Sequence, residues 1–262
     1  MRDTLRGQRI LITGASMGIG EALAREFAAK GAELLLVARS EDKLAQLCQG
    51  LRSSSTVCEY LVADLASPQD VAALIAKIGA QSRLDGIVHN AGIGLYGGFE
   101  QCAETDIRQL FEVNFFAVLN LTRGLLPLLK KSRRPTLLLV SSIVSWRSIA
   151  RLAAYCASKS ALNGFAEALR VELKKDGVRV VNTYPGRTRT PFSSNAKSTG
   201  WRPFSTDKQG MSPEAVAQKL ARAYERGKRD EFVSISNRLL AWTNFFWPGL
   251  VDWGLGRYFR DK

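Results

Sequence analysis

Tyr155 and Lys159 stand four residues apart in the run Tyr155-Cys156-Ala157-Ser158-Lys159, and Thr13-Gly14-Ala15-Ser16-Met17-Gly18-Ile19-Gly20 lies near the amino terminus. On a helix, positions i and i+4 share a face, so a phenol and an ammonium would project into one cleft. A nearby positive charge favours the ionised form of an acid and would draw a tyrosine down from its ordinary pKa of about 10. A phenol tuned in this way serves as general acid or base for a carbonyl or an alcohol. Gly14, Gly18 and Gly20 offer bare backbone that turns tightly and approaches a pyrophosphate at the amino terminus of a helix. Their spacing is G-x-x-x-G-x-G, not the G-x-G-x-x-G of larger dinucleotide domains.

Groups of this kind must be held by regular elements. Short β-branched and leucine-rich runs alternate with longer amphipathic stretches, the pattern of βαβ units and a parallel sheet. The spacing predicts strands over 9–13, 33–37, 57–62, 85–89, 136–141, 178–184 and 231–235. Helices are predicted over 18–30, 40–51, 68–79, 104–130, 153–175 and 212–226, with Pro213 just inside the last and Gly31 and Gly177 placed as carboxy-terminal caps. The expected fold is therefore α/β, a doubly wound, Rossmann-type parallel sheet of about seven strands with helices on both faces. No repeat or low-complexity linker divides residues 1–262, so one domain is expected. The irregular stretch 187–210 carries Phe192, Trp201 and Phe204 and reads as a loop over a binding site.

Composition narrows the chemistry. Hydrophobic residues make up 46% of the 262 and charged residues 23%, enough to bury a core. Cys48, Cys58, Cys102 and Cys156 show no CxxC pairing, so neither a disulfide framework nor a zinc site is suggested, and a reducing cytoplasm fits. The only histidine, His89, removes most metal sites and every Ser-His-Asp arrangement unless it serves itself; it reads as a packed strand-end residue, and no metal is expected. Lys and Arg number 37 against 24 acidic residues, a net charge of +13 that suits anionic lipid, an acidic carrier, cofactor phosphates or plain solvated surface. Basic residues are spread along the chain without a nucleic-acid motif, so no specific nucleic-acid partner is expected. The amino terminus runs into a strand with no apolar signal segment.

The second strand ends in Val37-Ala38-Arg39-Ser40, where an acidic residue would hold a ribose 2′-hydroxyl. Ala38 cannot make that bond, whereas Arg39 offers a forked cation suited to a 2′-phosphate, which favours NADP(H) over NAD(H). Further along the chain stand Asp64-Leu65 after the third strand, Asn90-Ala91-Gly92 after the fourth, and Asn114 in the next helix. Ser142 follows the fifth strand, and Pro185-Gly186 with Thr188 and Thr190 follows the sixth. With Gly14, Ser16, Gly18, Ile19 and Gly20, these motifs closely resemble the single-domain branch of the short-chain dehydrogenase/reductase family over nearly the whole chain. The resemblance implies that Asp64-Leu65 meets the adenine ring and that Asn90-Ala91-Gly92 supports the cofactor cleft, with Pro185, Gly186, Thr188 and Thr190 also on the cofactor. It further implies that Ser142, thirteen residues before Tyr155, holds the substrate oxygen, although Ser141 and Ser145 stand close by. Tyr155 then passes the proton, Lys159 binds the nicotinamide ribose and depresses the tyrosine, and Asn114 holds a water that connects Lys159 to solvent. Met17 departs from the pattern, since many NADP-using relatives place a basic residue there.

Trp146, Leu95, Tyr96 and the aromatic residues of 187–210 are the substrate-facing candidates, and they suggest a hydrophobic carbonyl or alcohol: lipid, steroid, retinoid, acyl or xenobiotic. Trp146 is equally suited to closing the core or a subunit contact, and a homo-oligomer is expected. The carboxy-terminal tail, 236–262, is rich in Leu, Phe and Trp between 239 and 259. Pro248, Gly249, Asp252, Gly254 and Gly256 interrupt it too often for a spanning helix of roughly 20 residues. It is therefore expected to lie peripherally on a membrane surface, or else to fold over the cleft or into an oligomer. The competing class is a regulator that binds NADP(H) without turnover, whose mark would be a broken catalytic set. Here Asn114, Ser142, Tyr155 and Lys159 are all present. A sugar-nucleotide epimerase would need a larger carboxy-terminal domain.

Overall fold

Burial on both faces of the central strands decides the architecture. In β1 (Arg9–Thr13), Ile10 and Ile12 join one apolar cluster while Leu11 joins another, as the two-residue period of a strand requires. β2 (Glu33–Ala38) divides in the same way, with Leu34 and Leu36 on one side and Leu35 and Val37 on the other. A strand apolar on both faces must be covered on both. The computed structural model, which describes residues 5–52, 56–201 and 210–260, supplies the two covers.

In chain order the further elements are α1 (Gly18–Ala28), α2 (Glu41–Arg52), β3 (Cys58–Val62), α3 (Pro68–Gly79), β4 (Gly86–His89) and β5 (Leu95–Tyr96). They continue with α4 (Glu104–Phe111), α5 (Ala117–Leu129), β6 (Thr136–Val140), α6 (Ala153–Glu172), β7 (Arg179–Tyr184), α7 (Phe192–Asn195) and β8 (Lys197–Ser198). The last are α8 (Pro213–Arg226), β9 (Asp230–Phe232), α9 (Ile235–Phe246) and α10 (Pro248–Arg260). Seven strands form one sheet in the order β3-β2-β1-β4-β6-β7-β9, all parallel, so the expected doubly wound fold is present. α1, α2 and α8 cover one face and α3, α5 and α6 the other. The order reverses between β1 and β4, which opens a crevice at the carboxyl ends of the strands.

The differences from expectation have local causes. The single helix predicted over 104–130 is divided by a π turn, Glu112–Phe116, between α4 and α5. The strand predicted over 231–235 stops at Phe232, because Ser234 caps α9 by accepting from the Asn237 amide at 3.1 Å. The stretch 187–210 is not wholly irregular: it contains α7 and β8, and β8 pairs with β5. Phe204 and the rest of 202–209 lie outside the described residues. The tail forms two helices broken at Trp247, and neither Gly249, Gly254 nor Gly256 interrupts α10.

Cys48 and Cys58 form a disulfide, contrary to the expectation of unpaired cysteines. The packing of α2 against β3 brings their Cα atoms to 5.4 Å, within reach of a bridge that no spacing motif announces. The reading of a reducing compartment loses the support it took from free thiols. His89 is buried at the end of β4, with its Nε2 2.9 Å from the Thr122 hydroxyl on α5, and burial pushes it down to about 3. It is a neutral packing residue.

Candidate active site

Four strand ends deliver the site. Gly14 follows β1, Asn90-Ala91-Gly92 follows β4, Ser141-Ser142 follows β6, and Pro185-Gly186 follows β7. Because the strands are parallel, all four loops open on the same edge of the sheet.

The glycine turn is held from the β4 side. Asn90 donates through Nδ2 to the carbonyls of Thr13 and Gly14 at 3.0 and 3.1 Å, and the Asn90 and Ala91 amides both donate to Thr13 Oγ1 at 3.1 Å. Gly14 and Gly18 adopt positive φ (66° and 59°), which bare backbone allows at no cost. A Cβ at Gly20 would lie 2.2 Å from the Gly14 carbonyl oxygen. The residue ahead of α1 is Met17, which offers no side-chain cap, whereas Ser67, Ser212 and Ser234 cap α3, α8 and α9. The first amides of α1 are thus left for an anion, and the dipole favours one there. Ser16 is half-buried in the turn and Ile19 packs on the core beneath it.

Arg39 is exposed immediately beyond β2. Asp64 accepts from the Ala66 amide at 3.0 Å, and Leu65 is buried beside it. Thr188 donates to the Gly186 carbonyl, Pro185 accepts from the Ile143 amide at 2.9 Å, and Thr190 lies against Gly18. Sequence reasoning missed Arg189, which joins Met17, Gly18, Arg25 and Pro191 around a groove of about 450 Å³ beside the glycine turn.

At the other end of the crevice, α6 holds Tyr155 and Lys159 one turn apart, both buried. Ser142 heads a short 3₁₀ turn, its hydroxyl accepts from the Val144 amide at 3.3 Å, and its influence on the Tyr155 phenol is to lower the pKa. Lys159 Nζ lies 6.0 Å from the Tyr155 ring centre and donates to the Val140 carbonyl at 3.0 Å. Asn114, in the π turn, is fully buried; it accepts from the Ile93 amide at 2.9 Å and donates to the Ile93 carbonyl and to Ser158 Oγ. A Cβ at Gly92 would stand 3.3 Å from both Asn114 Oδ1 and Lys159 Nζ, so these two groups flank one small space.

Titration departs from the sequence expectation. Burial raises the Tyr155 phenol well above its ordinary range, and only the Ser142 hydrogen bond acts appreciably the other way. Burial also lowers Lys159 to about 8. Desolvation outweighs the charge effect that the i, i+4 spacing suggested. Tyr155 is therefore held protonated.

The three neighbouring serines differ in their partners. Ser141 donates to the Lys159 carbonyl and to Asn163, Ser145 donates to the Ser142 carbonyl, and Ser142 is the one that lowers the Tyr155 phenol. Asn163 also donates to Ser145 Oγ at 2.9 Å, so it ties both flanking serines to α6; its only sequence signal is its place one turn beyond Lys159. An apolar cluster of Leu95, Tyr96, Leu110, Leu152, Cys156 and Ala196 surrounds Tyr155, with Phe192 at 5.7 Å ring to ring and Trp201 beside it. Trp146 instead packs edge-on against Tyr184 and tilted against Phe232, closing the far wall.

Comparison with known proteins identifies the family. A family model described as short chain dehydrogenase matches residues 8–201. The chain is 31% identical over 253 residues to the uncharacterized oxidoreductase YxnA of Bacillus subtilis, covering 95% of this chain and 71% of that protein. It is likewise 31% identical over 264 residues to 11-beta-hydroxysteroid dehydrogenase A of Sesamum indicum, covering 96% and 75%. Among solved structures, a short-chain dehydrogenase from Sphingobium yanoikuyae in complex with NADPH matches with a TM-score of 0.81 at 27% identity, over 94% of this chain and 95% of that one.

Proposed function

Because the chain belongs to the short-chain dehydrogenase/reductase family and is an oxidoreductase acting on CH–OH or C=O groups, we propose that it is an NADP(H)-dependent enzyme for a hydrophobic carbonyl or alcohol. The observation that carries this reading is the pairing of Tyr155 and Lys159 one turn apart on α6, with Tyr155 inside an apolar cluster, at the open end of a crevice whose other end is an uncapped glycine turn. The NADPH complex of the Sphingobium relative and the steroid chemistry in the name of the Sesamum relative support the cofactor and the substrate type.

The residues fit the cofactor: the cradle at Gly14, Gly18 and Gly20 admits backbone contact that a Cβ would block, and the bare amides of α1 suit a pyrophosphate. Arg39 would hold the 2′-phosphate, Asp64 and Leu65 the adenine end, and Asn90, Ala91, Gly92, Pro185, Gly186, Thr188 and Thr190 the remaining walls. When bound, NADP(H) supplies or takes up the hydride at the carbonyl or carbinol carbon. Tyr155 donates its proton to the substrate oxygen during reduction, and Ser142 donates a second hydrogen bond to the same oxygen as charge gathers there. Lys159 stabilises the phenolate left behind, and Asn114 supports the lysine side of the site. A regulator without turnover would have no use for these groups.

Following NADPH and NADH consumption against a panel of ketones and aldehydes tests the reading, and oxidation of neither cofactor with any of them would end it. Arg39→Ala should raise the KM for NADPH by roughly tenfold, the worth of a charge-assisted hydrogen bond, and leave NADH nearly unchanged. Equal losses would contradict the phosphate assignment.

Lys159 gives a pH signature. Below about 8 its ammonium is present to meet the phenolate, and above that value the charge is lost. The kcat for reduction should therefore be level on the acid side and fall as pH rises through about 8. In Lys159→Arg, whose guanidinium stays charged, the falling limb should leave this range even though the rate drops overall. A limb at the same pH in the variant would assign it to another group.

A further inference from the structure

Ten of the fifteen large apolar side chains exposed among the described residues lie between Ile235 and Tyr258, on α9, on α10 and at Trp247 between them. α9 faces the wrong way for water. Asn237, Ala241 and Asn244, spaced as one helical stripe, point inward: Asn237 donates to the Tyr184 carbonyl at 3.4 Å and lies against Gly186, Ala241 is buried, and Asn244 donates to the Trp146 carbonyl at 3.0 Å. Ile235, Leu239, Trp242 and Phe246 point outward, with Phe245 and Trp247 beside them. A helix between a protein core and water carries the opposite arrangement. On α10, Leu250 and Trp253 extend the same exposed surface.

Charge names the partner. Asp252 is the only acid from Ile235 to Arg260, and Arg147 engages it at 2.6 Å. Arg238 lies exposed with its guanidinium 5.8 Å from the centre of the Trp242 ring, and Arg257 is exposed on α10. Two copies meeting through this face would set these cations against one another with no free acid among the described residues of α9 and α10, on chains of net charge +13. An anionic bilayer offers an apolar layer for the Trp, Phe and Leu side chains and a negative plane for the arginines, which is the arrangement of interfacial helices. The contact must be interfacial: no helix among the described residues is long and apolar enough to cross a membrane, and the twelve residues of α9 span only about 18 Å.

We propose that the α9–α10 face docks on the surface of an anionic membrane and passes a bilayer-dissolved carbonyl compound to the cleft beneath it. The delivery half rests on the function proposed above; the docking half does not. The inner side of α9 already reaches the cleft, since Asn244 holds Trp146 and Asn237 lies on Tyr184 and Gly186, next to the Ser142 loop.

Flotation of the full chain with vesicles of phosphatidylcholine and phosphatidylglycerol decides the docking half. The protein should float with them, and less so with phosphatidylcholine alone or at high salt. Trp242→Glu/Phe246→Glu/Trp253→Glu should lower bound protein by roughly tenfold or more, while Trp242→Phe/Phe246→Leu/Trp253→Phe retains binding. Melting temperature and NADPH binding near those of the parent would show that the charged variant folds. Failure of the parent to float, equal flotation of the charged variant, or a parent dimer that only this variant dissociates and that ignores vesicles would each overturn the proposal. For delivery, the charged variant should raise the KM of a long-chain ketone supplied in vesicles and leave that of a short soluble ketone unchanged. An unchanged vesicle KM overturns delivery. A parent that floats but reduces neither ketone overturns the enzymatic reading alone.

Discussion

Tyr155→Phe is expected to lower kcat for carbonyl reduction by roughly two to four orders of magnitude, the usual worth of a positioned proton donor. The ring would stay packed 5.7 Å from Phe192, inside the cluster that includes Leu110 and Leu152, so folding and NADPH binding should change little. What is lost is one hydroxyl, whose proton burial retains through neutral pH. Single-turnover reduction with saturating NADPH isolates the step, and a variant as active as the parent would remove Tyr155 from the proton transfer. Residual rate would come from Ser142 and from the geometry of the cleft.

The second large effect belongs to the glycine turn. Gly20→Ala would set a Cβ 2.2 Å from the Gly14 carbonyl oxygen and 2.5 Å from Asn90 Nδ2. The backbone carbonyl has no room to retreat, because Asn90 already binds it along with the Thr13 carbonyl. Overpacking of this sort costs about 1–3 kcal/mol, which corresponds to a Tm lower by roughly 2–10 °C in a chain of this size. The clamp would also shift away from the pyrophosphate, so NADPH affinity should fall by tenfold or more. Gly164→Ala is the matched control: it sits exposed in α6 with open space around it, and alanine there should be neutral or raise stability by up to about 1 kcal/mol. Equal effects in the two variants, by calorimetry and by titration with NADPH, would show that the close approach at Gly20 carries no cost.

What could be read in advance divides along a physical line. β1, β2 and β4 show as short isoleucine, leucine and valine runs because both of their faces are buried, and the glycine turn shows because backbone requirements are written directly as residue type. Ser142 was matched to Tyr155 by the family resemblance, and it was the hydrogen bonds of Ser141 and Ser145, not the sequence, that distinguished the three neighbouring hydroxyls. The Cys48–Cys58 bridge was hidden because it depends on how α2 returns to β3, not on spacing. The raised Tyr155 and lowered Lys159 were hidden for a different reason: a helix register gives the distance between two charges but says nothing of the water removed from around them. α9 was obscured by its own inversion, since Leu, Phe and Trp directed outward mask the inner stripe of Asn237, Ala241 and Asn244.

The π turn at Glu112–Phe116 lets one run of chain satisfy two surfaces that ordinary winding would not bring into phase. Ahead of it, Leu110 of α4 joins the side chains around Tyr155; behind it, Leu121 and Leu125 of α5 fill the core under the sheet. Each residue of a helix advances it by about 100°. Loss of a single residue between Glu112 and Phe116 would restore regular winding and swing one of these stripes through that angle, into solvent. Evolution can thus exchange side chains along this stretch while its length stays fixed, and any relative with a gap there must have rebuilt one of the two surfaces.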